Sequence, residues 1–127
     1  MKTNIEELKR MAQAATPGPW AYTTDSNDFP VNGYVTVRDC IYSVCILPYE
    51  GIRTDDRVTD NGLFIAAANP AAVLELIRQR DELVEALKDA REMVSDWAGY
   101  ASPYFQEKHD IDGDLKKLDD AIARMEG

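Results

Sequence analysis

The sequence predicts an α+β fold: a short N-terminal helix, a three-stranded antiparallel sheet, then a kinked long helix and a C-terminal helix. The last two would form a helical hairpin or a coiled-coil oligomer interface. Three observations predict it. Residues 20–47 are rich in β-branched and aromatic side chains broken by short polar turns. A heptad of apolar positions runs from Val73 to Trp97. Between them, Asn69-Pro70 carries a helix start inside a helical stretch. One domain is expected, with the N-terminal helix at 1–15, a β-meander at 20–47, kinked central helices at 58–98 and a C-terminal helix at 114–126.

In chain order, Thr3 and Glu6 have the spacing of a capping box. Ile5, Leu8, Met11, Ala12 and Ala15 then share one helical face. Thr16-Pro17-Gly18-Pro19 stops that helix, because proline lacks the backbone donor and disfavours helix in the residue before it. Trp20 opens the first strand, Trp20 to Thr24, as a core anchor or as a stacking surface for a ligand. A polar turn, Asp25 to Pro30, leads to a second strand over Val31 to Asp39, with a bulge or tight turn at Asn32-Gly33. Cys40 to Leu47 is apolar almost throughout, as a central strand would be, and Asp39-Cys40 makes a short hairpin link. Links this short exclude parallel crossovers, so the sheet is an antiparallel meander that needs a helix across it.

Pro48 to Arg57 is a loop in which Arg53 and Arg57 sit close together, with Asp55 and Asp56 as ready ion partners. Val58 to Ala68 forms a short helix of small residues. After the Asn69-Pro70 break the seam reads Val73, Leu76, Arg80, Leu83, Leu87, Ala90, Val94, Trp97, with Ile77 and Val84 widening it. Arg80 in that seam is either an inter-chain salt bridge or a snorkelling side chain. At about 1.5 Å per residue the helix outreaches a three-stranded sheet, so part of its seam meets another helix, in the same chain or in a second subunit. Gly99, Ser102 and Pro103 end it. Leu115, Leu118, Ile122 and Met125 give the last segment an apolar face.

Composition narrows function. A net charge of −9 disfavours binding along a nucleic acid backbone. No apolar run approaches the ~18 residues of a membrane span, and the N-terminus lacks a signal peptide's apolar centre, so a cytoplasmic protein is expected. Cys40 and Cys45 lie on opposite faces of one strand, too far apart for a disulfide. With His109 they make no zinc set, and residues 104–114 misplace the ligands of a calcium loop. No cofactor, metal or catalytic residue is expected, and the acids of the long helix read as solvated charge. Enzyme is the weakest class.

Two stretches carry a resemblance. ATPGPW (Ala15 to Trp20) and NGLFIAAANPAAVLELI (Asn61 to Ile77) resemble a pattern that recurs, in the same order, in small phage and prophage proteins. Some of these are grouped with the Ead-like early-region proteins of lambdoid phages. The pattern's usual Asn-Ala is Asn61-Gly62 here. In architecture the chain is similar to phage anti-defence sponges that oligomerise and sequester nucleotide immune signals, such as the cyclic ADP-ribose isomers of Thoeris systems. That likeness implies a homo-oligomer in the host cytoplasm, with its interface at Val73, Leu76, Arg80, Leu83, Leu87, Val94 and Trp97. Arg53 and Arg57 would meet phosphate, Asn61 and Asn69 base or ribose edges, and Trp20 or Phe64 would stack. The alternative is an interaction module that binds a host protein through the acidic helical face of Glu82, Glu85 and Asp89.

Overall fold

A computed structural model describes residues 3–25, 32–37, 43–48 and 56–126. Its elements are α1 (Ile5–Ala14), β1 (Trp20–Thr24), β2 (Asn32–Val37), β3 (Ser43–Pro48), α2 (Asp56–Ala67), α3 (Pro70–Tyr100), α4 (Pro103–Lys108) and α5 (Ile111–Glu126). The fold is α+β as expected, with an antiparallel sheet in the order β1-β2-β3. The chain divides into two compact units, Met1–Ile77 and Arg78–Gly127, with the division inside α3.

The first unit is built on β2. Val35 pairs with Tyr22 on one side and Cys45 on the other, so these three share a face. Helix α2 packs on that face, chiefly across β1 and β2, and Val35 beneath it is 0% exposed. Two glycines let the helix come close. A Cβ on Gly33 would stand 2.6 Å from the Tyr22 hydroxyl, and one on Gly62 in α2 would overlap the same ring. Tyr22 is therefore gripped between two residues without side chains. The sheet's irregularity falls at Val35/Thr36 rather than at Asn32-Gly33, which pairs regularly with Leu47 and Pro48. The β1–β2 turn is tied at its base, where the Asp25 carboxylate accepts from the Asn32 amide at 3.1 Å. The Asp39-Cys40 link and Cys40 lie outside the described residues; Cys45 is a free, half-buried thiol.

Four helix starts, those of α1, α3, α4 and α5, follow one rule, a side-chain acceptor for an otherwise unpaired N–H. Asn4, not Thr3, caps α1 and accepts from the Glu7 amide at 3.1 Å. Asn69 breaks α2 from α3 as predicted. Its Oδ1 accepts from Ala72 and its Nδ2 donates to the Ala66 carbonyl, both at 3.1 Å, so one amide closes one helix and opens the next. Ser102 caps α4 through the Phe105 amide at 3.2 Å, with Pro103 following. No element is expected from the sequence at residues 103–108, where the structure has α4.

In the second unit α5 runs antiparallel to the later part of α3, a helical hairpin. Arg91 binds Asp119 through two nitrogens at 2.9 and 3.2 Å, Arg80 donates to the Met125 carbonyl, and Lys88 reaches Glu126 at 2.5 Å. The α3 end is closed by Gln106, whose amide donates to the Ala98 and Ala101 carbonyls at 3.3 and 2.9 Å. Asp110 starts α5 by accepting from the Gly113 amide at 3.0 Å. Helix α5 thus begins at Ile111, three residues before the expected Asp114.

Candidate functional site

The site is clearest on the later part of α3. An α-helix turns about 100° per residue, so residues seven apart fall nearly in line. Leu83, Ala90 and Trp97 form one such row and Ala86, Met93 and Tyr100 a second beside it. All six are exposed, Leu83 by 71% and Trp97 by 72%. The opposite side of the helix is the one α5 occupies, where Val84 is 8% exposed and Leu87, Lys88 and Arg91 are half-buried.

A third row completes the face. Glu82, Asp89 and Asp96 each precede a member of the Ala86 row by four residues and run alongside it, all exposed. The ion pairs of this unit draw the cations away. Arg78 pairs with Glu82, Arg80 with Asp81, Lys88 with Glu85 and Glu126, and Arg91 with Asp119. Among the described residues, no ion pair engages Asp89 or Asp96. An exposed apolar face with uncompensated negative charge along its edge is the result.

Towards its C-terminal end this face deepens into an open groove of about 760 Å³. Its wall is Met93, Val94 and Trp97 from α3, Ala101, Phe105 of α4 and Ile111 of α5. Asp114 also lines it and holds Lys117 at 3.3 Å, while Lys108 lies over the Tyr104 ring at 5.9 Å. Phe105 is braced by His109, ring centres 4.3 Å apart. Aromatic side chains around an apolar floor bring large contact area at little entropic cost.

Two carboxylate–cation contacts fix α5 against α3. The Arg91 guanidinium holds the Asp119 carboxyl below its ordinary range, and Asp119 in turn raises Arg91. Hydrogen bonds from Lys88 to Glu126 and then Glu85 raise the lysine.

The predicted ligand residues are placed as follows. Arg53 lies outside the described residues. Arg57 is in the first turn of α2, with Asn61 four and Phe64 seven positions later on the same helix. Asn61 and Phe64 are exposed, Phe64 by 71%. Asn69 is half-buried with its amide committed to the two helix ends. Trp20 is half-buried and its indole donates to the Thr16 carbonyl at 3.0 Å. Of the predicted interface, Leu76, Leu83, Val94 and Trp97 are exposed, while Val73, Arg80 and Leu87 are half-buried. Asp96, Met93, Tyr100 and Phe105 were not singled out from sequence, although seven-residue spacing from Leu83 and its neighbours would have found the first three.

Gly18 sits against Asn69, where a Cβ would meet the amide at 3.6 Å, so the ATPGPW and FIAAANP stretches touch each other in the first unit. Among the described residues no group of three or more His, Cys, Asp or Glu could hold a metal ion, and no helix is long and apolar enough to cross a membrane.

Fold and surface together define a small α+β protein with an exposed apolar face on its long helix. The chain belongs to the family described as Salmonella phage P22 protein Y8K6, whose profile matches residues 4–127. No curated protein and no solved structure matches it.

Proposed function

We propose that this phage protein acts by binding a host protein through the exposed face of α3, as an interaction module rather than an enzyme. The observation that carries the reading is the pairing of two exposed apolar rows with an acidic row whose Asp89 and Asp96 have no ion partner among the described residues. Contiguous exposed apolar patches rimmed by polar residues mark interaction sites. Glu82 and Glu85 already serve Arg78 and Lys88, so the charge available to a partner is that of Asp89 and Asp96. The test is affinity purification of the tagged full chain from host lysate, beside Leu83→Ser/Trp97→Ser and Asp89→Lys/Asp96→Lys variants of unchanged circular dichroism. A defined protein recovered by the native chain and lost with both variants is the expected result. Equal recovery by all three would remove α3 from the function.

A second reading is favoured by α2. There Asn61 and Phe64, three residues apart, share an exposed helical face that offers an amide and a stacking ring. On this reading the protein counters host defence in the cytoplasm as a homo-oligomer that sequesters a nucleotide-derived immune signal, through Arg53, Arg57, Asn61, Phe64, Asn69 and Trp20. Its interface would be the seam from Val73 to Trp97. Native mass spectrometry with cyclic nucleotides and ADP-ribose derivatives separates the readings. A stoichiometric adduct on an oligomer, abolished by Phe64→Ala, favours sequestration; a bare monomer leaves the interaction module.

A further inference from the structure

We propose that the occupant of the α3–α4–α5 groove is an amphipathic helix with a basic edge, contributed by the partner protein; the inference rests on the interaction-module reading. Three features of the groove select that chemistry. The first is its shape. Between Leu83 and Trp97 the apolar rows are straight for about 21 Å at 1.5 Å per residue, then end in a pocket floored by Met93 and Val94 and walled by Phe105. A helix laid along such a seam seats anchors at i, i+3 or i+4 and i+7, with one large side chain in the pocket. An extended strand would need an open row of backbone donors and acceptors, and the hydrogen bonds of α3 leave none.

The second feature is charge. Asp89 and Asp96 run along one edge of the seam, without an ion partner among the described residues. A lysine- or arginine-edged helix places its cations beside those acids while its apolar face stays in the seam. The complementarity also steers the encounter, because the whole chain carries −9. The third feature is what the charge excludes. A second copy would bring the same acidic edge to the same seam, like charge towards like, and an acidic helix would meet the same opposition.

The experiment uses the full chain and two synthetic probe peptides of about 18 residues, long enough to span the seam as helices. Both carry one leucine face with a central tryptophan; the polar face is lysine in one and glutamate in the other. Binding is followed by fluorescence anisotropy at low and moderate salt. The lysine-faced peptide is expected to bind at least about tenfold more tightly than the glutamate-faced one, with the margin shrinking as salt rises. Asp89→Lys/Asp96→Lys should erase or invert the preference, and Trp97→Ser should weaken both peptides. Equal binding of the two peptides, or binding unmoved by these variants, overturns the basic-edge inference while leaving the contact face in place. Binding of neither peptide, together with a dimer that Trp97→Ser dissociates, hands the groove to a second copy. If neither peptide nor any lysate protein depends on Trp97, the interaction module falls with the inference.

Discussion

The two halves of this chain differ in how many of their residues they bury, although Phe64 and Leu76 of the first unit are exposed as well. In the first unit the buried positions Gly33, Val35, Gly62 and Ala66 build a closed contact between the sheet and α2, and Pro70 and Ile77 of α3 are buried too. In the second unit Val84 is the one described residue that is buried, while Leu83, Met93, Trp97, Tyr100, Tyr104 and Phe105 face outwards. Hydrophobic burial is the main favourable term in folding, so apolar area left in water marks a surface held back for something else. The first unit reads as scaffold and the second as the working part. Substitutions that respect or violate this division should have very different costs.

The largest effect is expected at the centre of the scaffold. Val35→Asp buries a carboxylate with no partner and should cost on the order of 4 kcal/mol or more, read as loss of amide protection across β1, β2 and α2. Gly62→Ala comes next. In an open helix this change gains roughly 1 kcal/mol. Here the new methyl meets the Tyr22 ring, and overpacking should make denaturant unfolding easier by about 1–3 kcal/mol, so even the sign of the change tests the packing. Asn69→Ala removes the cap of α3 and a donor to α2 together, at about 1–2 kcal/mol in the same assay. Trp97→Ser, by contrast, should leave stability within about 0.5 kcal/mol while it removes partner recovery. A large loss of stability there would abolish the distinction between the halves.

The smallest effect is one of pH. Pairing with Arg91 lowers the folded-state pKa of Asp119 from its ordinary value of 3.8. A carboxylate so depressed contributes stability at pH above that ordinary value, and loses it as pH falls through the lowered one. Asp119→Asn should therefore flatten the acid limb of thermal melts of α5 and change little near neutrality. An unchanged acid limb would mean that the exposed pair contributes nothing measurable.

Much of this was legible in the sequence, and the misses have physical reasons. Trp20 to Thr24 was readable to the residue because its β-branched and aromatic run is bounded by proline on one side and a polar turn on the other. Asn69-Pro70 was readable because cap and proline coincide. Ser102-Pro103 has the same grammar but was taken only as a stop for α3, although a residue that ends one helix can cap the next. The cap of α1 is Asn4 rather than Thr3 because asparagine, one residue later, reaches the Glu7 amide directly. The site was harder. The heptad from Val73 to Trp97 gave the apolar positions, but sequence does not say which side of a helix α5 covers. The backbone arrangement, the Arg80 hydrogen bond to the Met125 carbonyl and the ion pairs of Lys88 and Arg91 decide that, and they leave Leu83 and Trp97 outside.

Gly62 and Tyr22 carry a consequence for how such chains diverge. One ring occupies the room of two absent side chains, so the three positions are free to vary only in a fixed order. A chain with alanine at position 62 needs a slimmer or differently turned side chain at 22. The ring must shrink before the methyl arrives, because the reverse order passes through a clash. Lineages of this fold should therefore divide into those with a bulky residue at 22 facing glycine, and those with a modest one facing alanine. The intermediate holding both large groups should be missing.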